Sequence, residues 1–105
     1  MKGELKLRLR NSWKYVENDR WDWAVFLEDD GSGDLEKVDS VTYILHSSFP
    51  NPKRRKKNKQ DKFKLETNGW GIFWIKAFVK TLEGKKIKLD HYLELSYEPE
   101  NGTTD

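Results

Sequence analysis

Apolar and polar side chains alternate with period two along most of this chain, and no stretch carries the 3.6-residue repeat of an amphipathic helix. In Leu5-Lys6-Leu7-Arg8-Leu9-Arg10 three leucines fall on one face of an extended strand and three cations on the other. Trp21, Trp23, Val25 and Leu27 alternate in the same way, as do Val41, Tyr43 and Leu45, and later Ile87, Leu89, His91, Leu93, Leu95 and Tyr97. Phe63 and Leu65 open a further strand that runs into the turn signal Asn68-Gly69. Ile72 to Val79 is apolar on both faces except at Lys76, the pattern of a strand central to the domain. Six or seven strands joined by loops predict an all-β, antiparallel β-sandwich. The loops are DDGSGD at 29–34, the segment from Pro50 to Lys62, and tight turns at Asn68-Gly69 and Glu83-Gly84.

The 105 residues fit one domain, with 1–98 forming the sandwich and the polar, glycine-containing 99–105 reading as a tail or the start of a linker. Charged residues (36%) slightly outnumber hydrophobic ones (35%), which leans toward disorder, but 13% are aromatic and five of these are Trp. Large rings supply much buried area per residue, so a packed core is expected. Cysteine is absent, which excludes a disulfide framework, a thiolate metal site and a cysteine nucleophile and fits a reducing, cytoplasmic setting. No apolar run approaches the roughly 18 residues of a membrane helix, and the start MKGELKLRLR lacks the apolar stretch of a signal peptide. Insertion of this chain into a membrane is therefore not expected.

The net charge of +2 hides a division. Residues 53–62, KRRKKNKQDK, carry seven bases and one acid, +6 in total, which leaves −4 for the rest; residues 17–36 carry eight acids and Arg20, −7 in total. Lys53, Arg54, Arg55, Lys56, Lys57, Lys59 and Lys62 are thus a candidate basic loop for a nucleic acid, an acidic partner or the acidic region of a second copy. Enzyme chemistry has little support. His46 and His91 lie too far apart for metal-ligand spacing, no glycine-rich phosphate loop is present, and no residue is placed to orient the His46/Ser48 pair as a third catalytic member. No catalytic residue, metal or cofactor is assigned. His91, on the face of Leu89 and Leu93, reads as a hydrogen-bonded structural histidine.

Two segments remain. In Leu45-His46-Ser47-Ser48-Phe49-Pro50-Asn51-Pro52 a strand meets two prolines and must stop, leaving polar and aromatic groups at its end. In Asn68-Gly69-Trp70-Gly71 an indole stands between two glycines that leave room for a ligand to approach. Together with Trp21-Asp22-Trp23-Ala24-Val25-Phe26, the stretch Val38 to Arg54, Gly69-Trp70-Gly71-Ile72-Phe73 and Leu89 to Leu95, they resemble the YEATS domain family in order and spacing over residues 5 to 97. The paired tryptophans and the compact length are most similar to its prokaryotic branch.

The resemblance implies an immunoglobulin-like β-sandwich of about seven to eight strands that binds acetylated or crotonylated lysine in a partner protein or peptide and catalyses nothing. Mapped by motif, Phe49 and Trp70 are the walls of an aromatic channel, Ser48 bonds the acyl amide, and His46 holds that hydroxyl from the same strand face. A backbone N–H of Trp70 or Gly71 meets the acyl carbonyl, with Gly69 and Gly71 keeping the approach open. A further wall found in some members falls near Asp19 or Arg20 here, which makes Trp21 or Tyr15 the nearest substitute. A native chain continuing past Asp105 into an effector domain or a membrane segment would fit a recruiting role.

Overall fold

The computed structural model describes residues 7–31, 33–69, 71–97 and 101–104. Eight strands follow in order: β1 (Leu7–Glu17), β2 (Arg20–Asp29), β3 (Val38–Ile44), β4 (Lys53–Lys56), β5 (Leu65–Gly69), β6 (Trp74–Thr81), β7 (Lys86–Tyr92) and β8 (Asn101–Thr103). They form two four-stranded sheets, β5-β2-β1-β8 and β4-β3-β6-β7, in which every pairing is antiparallel. Short 3-10 turns cover Asp34–Lys37 and Lys59–Asp61. The β1–β2 hairpin closes through Asn18 and Asp19, with φ of 54° and 58°. Both residue types tolerate this left-handed backbone, which matches the twist of the flanking strands. Leu5 and Lys6, which open the first alternating run, lie outside the described residues.

The alternation reads through into packing. Trp13, Trp21, Trp23, Val25 and Leu27 of the first sheet face Val41, Tyr43, Ile75, Ala77 and Val79 of the second, with Leu45, Phe63 and Leu93 completing the core. The Tyr43 hydroxyl, fully buried, donates to the Phe63 carbonyl at 2.8 Å. Burial holds its phenol proton well above the ordinary range.

Two expectations change. β6 is an interior strand by pairing, between β3 and β7, but only one of its faces is buried. Nothing among the described residues covers the other, so Trp74 and Phe78 stand exposed there. The stretch read as a polar tail contributes β8, whose Thr103, Gly102 and Asn101 pair with Ser12, Trp13 and Lys14 of β1. Composition misleads here because the attachment uses backbone and small groups. A Cβ on Gly102 would overlap the Trp13 ring, so a glycine lets the indole lie against β8. Thr104 is buried, its N–H donating to the Asn11 carbonyl at 2.8 Å and its Oγ1 accepting from the Asn11 N–H at 3.1 Å. Pro99 and Glu100 lie outside the described residues.

Asn11, fully buried on the inner face of β1, ties the layers together. Its Nδ2 donates to the Glu94 carbonyl at 2.7 Å, while its Oδ1 accepts from the Glu94 N–H at 3.0 Å and contacts His91 Nε2 at 2.8 Å. An oxygen that already accepts a backbone N–H requires the imidazole to donate through Nε2. The structural reading of His91 therefore holds.

Burial lowers the His91 pKa below its ordinary value of 6.5. As the pH falls below that value the unfolded chain takes up a proton that the folded chain resists, so folding stability decreases toward acid. Urea titrations between pH 8 and 5 should show this loss, and a folded His91→Gln variant should show a shallower one. Equal slopes in the two proteins would remove His91 from the account.

Candidate functional site

β3 stops at Ile44, and the chain turns back to enter β4 at Lys53. Pro50 and Pro52 prevent the strand from continuing, since neither offers a ladder N–H. The loop is closed at its base by the Leu45 N–H donating to the Pro52 carbonyl at 2.8 Å. Inside it, the Phe49 N–H donates to the His46 carbonyl at 3.0 Å, forming a tight turn over His46 to Phe49. Arg54 reaches back from β4, Nε donating to the Asn51 carbonyl at 2.6 Å and a terminal nitrogen to the Pro50 carbonyl at 2.8 Å.

This turn brings His46 and Ser48 together. The Ser48 backbone N–H donates to His46 Nδ1 at 3.1 Å, and Ser48 Oγ lies 2.9 Å from the same nitrogen. A nitrogen that accepts a backbone N–H carries a lone pair, so the hydroxyl donates its proton to Nδ1. The oxygen's own lone pairs are left to accept from outside. Both side chains are exposed, so this acceptor faces solvent. The expected contact is present, but it is made across a turn rather than along one strand face.

Beside the turn lies a group of rings in edge-on and tilted contact. Phe49 and Phe73 have centroids 5.4 Å apart, Trp23 meets their rings at 6.2 and 6.0 Å, and the His46 ring stands 6.0 Å from Phe73. Phe73 is anchored by its carbonyl, which accepts from the Leu93 N–H at 3.0 Å. A Cβ on Gly69 would lie 3.6 Å from the Phe49 ring and 3.8 Å from Trp23 Nε1, whereas one on Gly71 would meet nothing within 4 Å. Space therefore opens beside Gly71. At the base of the group the Trp23 indole N–H is buried and has no acceptor among the described residues. An unmet donor of this kind costs about 1–3 kcal/mol.

His46, Ser48, Phe49 and Gly69 thus converge, with Gly71 on the following segment. Trp70 lies outside the described residues. Trp21 belongs elsewhere: its ring packs on Tyr15 (5.2 Å) and Tyr97 (4.9 Å), and its N–H donates to the Ser96 carbonyl at 2.9 Å. The rings that lie beside Phe49 are instead Phe73 and Trp23. The sequence signals both only as core residues, through the inward parity they share with Ile75 and Val25.

The basic loop is likewise revised. Residues 53–56 are strand β4, with Arg54 and Lys56 opposite Tyr43 and Val41 on the inner side and Lys53 and Arg55 opposite Ile44 and Thr42 on the outer. Arg54 is spent on the turn, Lys59 bonds the Glu36 carbonyl at 2.8 Å, and Lys62 lies 3.4 Å from Glu28 and over the Phe26 ring. Glu28 also binds Arg10 at 3.0 Å; partial burial opposes its charge, but Arg10 and Lys62 outweigh that and lower its pKa. Pairing and strand parity therefore divide the run between several surfaces. No group of three metal-ligating side chains occurs among the described residues, and no helix among them is long and apolar enough to cross a membrane.

Two facing antiparallel sheets, with a hydroxyl–imidazole turn and a group of edge-on and tilted rings at one end, define an immunoglobulin-like sandwich. The description "prokaryotic YEATS domain" matches residues 21–94, and the chain belongs to that family. Protein AF-9 of Mus musculus is 34% identical over 87 residues; the match covers 79% of this chain, which spans only 15% of that protein. The Yaf9 YEATS domain bound to H3K27ac superposes with a TM-score of 0.74 at 21% identity, over 99% of this chain and 82% of that one. The Yaf9 YEATS domain recognizing an H3K122suc peptide gives 0.64 at 22%, over 99% and 83%; Yaf9 is the yeast AF-9 homolog. At these identities the structural likenesses establish the fold.

The clamp on the turn is open to test. Arg54→Ala should lower stability by about 0.5–1.5 kcal/mol and speed hydrogen exchange at the Leu45 and Phe49 amides. Arg54→Lys, lacking the planar fork, should restore little of either. Unchanged exchange at both amides would show that the turn holds without it.

Proposed function

We propose that this domain is a non-enzymatic reader that takes the acylated side chain of a lysine in a partner protein into the cleft between the His46–Phe49 turn and the Gly69–Phe73 segment. The observation that carries the reading is the orientation of the Ser48 hydroxyl. With its proton committed to His46 Nδ1, its oxygen offers an acceptor at the rim of an aromatic group. A secondary amide N–H is the matching donor. The planar, neutral amide and its acyl chain gain from contact with Phe49 and Phe73 and lose little on leaving water. An unmodified ammonium could also donate to Ser48, but it would surrender far more hydration, and neither the His46–Phe49 turn nor the Gly69–Phe73 segment supplies a carboxylate to receive it.

Family membership supports the same conclusion, since solved relatives include YEATS domains with H3K27ac and with an H3K122suc peptide. Trp70 is the second wall in this reading, with its own N–H or that of Gly71 directed at the acyl carbonyl. The partner is an acylated protein or peptide, and acetyl and crotonyl groups are the first to try.

Fluorescence polarisation with one labelled lysine peptide, unmodified, acetylated and crotonylated, tests the assignment. Saturable binding of an acylated form is expected, with the unmodified peptide at least about tenfold weaker. Ser48→Ala should weaken the acylated form about 5- to 150-fold, the value of an unmatched amide donor of about 1–3 kcal/mol. Phe49→Ala should weaken it as well, each variant being shown folded by its thermal transition. Equal affinity for all three peptides, or acyl binding indifferent to both substitutions, would contradict the proposal.

A further inference from the structure

The outer face of the second sheet has the composition of a binding surface, and neither the cleft nor the fold requires it. Trp74 (63% exposed), Phe78 (42%) and Tyr92 (47%) all point outward there. Trp74 and Tyr92 are cross-strand partners with ring centroids 5.1 Å apart. Strand parity sets Lys76 and Lys80 of β6, Lys86 and Lys88 of β7, and Lys53 and Arg55 of β4 on the same face. All six are exposed, and none has a hydrogen-bond or ion-pair partner among the described residues. Asp90, opposite Lys76, is the acid on this side of the β6–β7 ladder.

The contrast with the rest of the molecule is informative. Arg8, Arg10 and Lys62 converge on Glu28, and Lys37 pairs with Asp34 at 3.3 Å. The six cations of this outer face instead have no such partner among the described residues and share the face with exposed rings. In one cross-strand row Arg55, Thr42, Phe78 and Lys88 lie side by side, which sets the Phe78 ring directly opposite a cation, and Lys76 follows Trp74 on the same face of β6. A partner suited to this face is an extended polyanion that also carries flat apolar groups.

We infer that the outer face of the β4-β3-β6-β7 sheet binds single-stranded nucleic acid, with bases stacked on Trp74, Phe78 and Tyr92 and phosphates held by the surrounding lysines and Arg55. Unpaired bases supply the π-faces that a duplex keeps stacked within itself. A lipid surface fits less well, because lysines interrupt the apolar area in every direction along the sheet. A second copy fits less well too, because, among the acids of 17–36, Glu28, Asp29 and Asp34 are already engaged by Arg10, by backbone amides and by Lys37, and an acidic surface would leave the exposed rings without flat partners. This surface moves the nucleic-acid reading of the basic run from a loop to a sheet, and it includes four lysines outside that run.

The test is polarisation of a labelled 20-nucleotide oligo(dT) at 25 to 200 mM salt, beside a duplex of equal length, phosphatidylserine vesicles and light scattering of the protein alone. Binding should weaken with salt at a log–log slope of about −2 to −4, as expected for three to six neutralised phosphates. Trp74→Ala should weaken it about 5- to 150-fold, the usual worth of one stacked base. The pair Lys80→Glu with Lys86→Glu should nearly abolish it, while Ser48-dependent peptide binding at the opposite end of β6 stays unchanged. No binding at 25 mM salt, affinity for duplex equal to that for the single strand, full affinity in Trp74→Ala, or response to vesicles or self-association alone would overturn the inference.

Discussion

The hydrogen bond from the Ser48 backbone N–H to His46 Nδ1 is the constraint on which the proposed acyl-lysine site depends. It places the lone pair of the imidazole on Nδ1, and that in turn decides which way the Ser48 proton points. Without it the hydroxyl would be a free rotor, able to donate or accept. With it, the oxygen is an acceptor whose direction is set by the loop. The loop is set by the Leu45–Pro52 closure and the Arg54 fork, so the chemistry of one oxygen is inherited from backbone geometry several residues away.

The sandwich supplies the other half of the site. The turn projects from the end of one sheet, and Phe49 lies against Gly69 at the end of the other, with Trp23 beneath both. Asn11 spans the interior to His91 and Glu94, so the two layers are joined by directional bonds as well as by apolar contact. A buried amide with every contact satisfied favours one relative arrangement of the sheets over its neighbours. The placement of the turn and rings at their shared end is correspondingly fixed.

Much of this was legible in the chain. The parity of Trp21 to Leu27, Val41 to Leu45 and Phe73 to Val79 predicts their burial, and the LHSSFPNP stretch predicts where a strand must end. Parity also separates Lys53 and Arg55 from Arg54 and Lys56, but without apolar residues in that run nothing marked it as a strand. Alternation cannot report whether a second face is covered, which depends on the layers available, and so it does not reveal the exposed side of β6. β8 escaped notice because it is attached through backbone, Gly102 and Thr104 rather than apolar side chains. Within the site, the His46/Ser48 spacing was visible and the turn that joins them was not. Phe73 and Trp23 were visible only as core, since membership of a cleft depends on contacts between strands distant in sequence.

The most direct test of the central claim concerns the donor that Ser48 Oγ is set to receive. Two peptides differing by one methyl group, Nε-acetyl-lysine and Nε-methyl-Nε-acetyl-lysine, share the planar acyl amide and its carbonyl, but only the first has an amide N–H. Calorimetric titration should show the tertiary amide binding at least about tenfold more weakly to the wild-type protein. The difference should shrink sharply in Ser48→Ala. If the two peptides bind wild type equally well, the Ser48 oxygen is not the acceptor that defines this site.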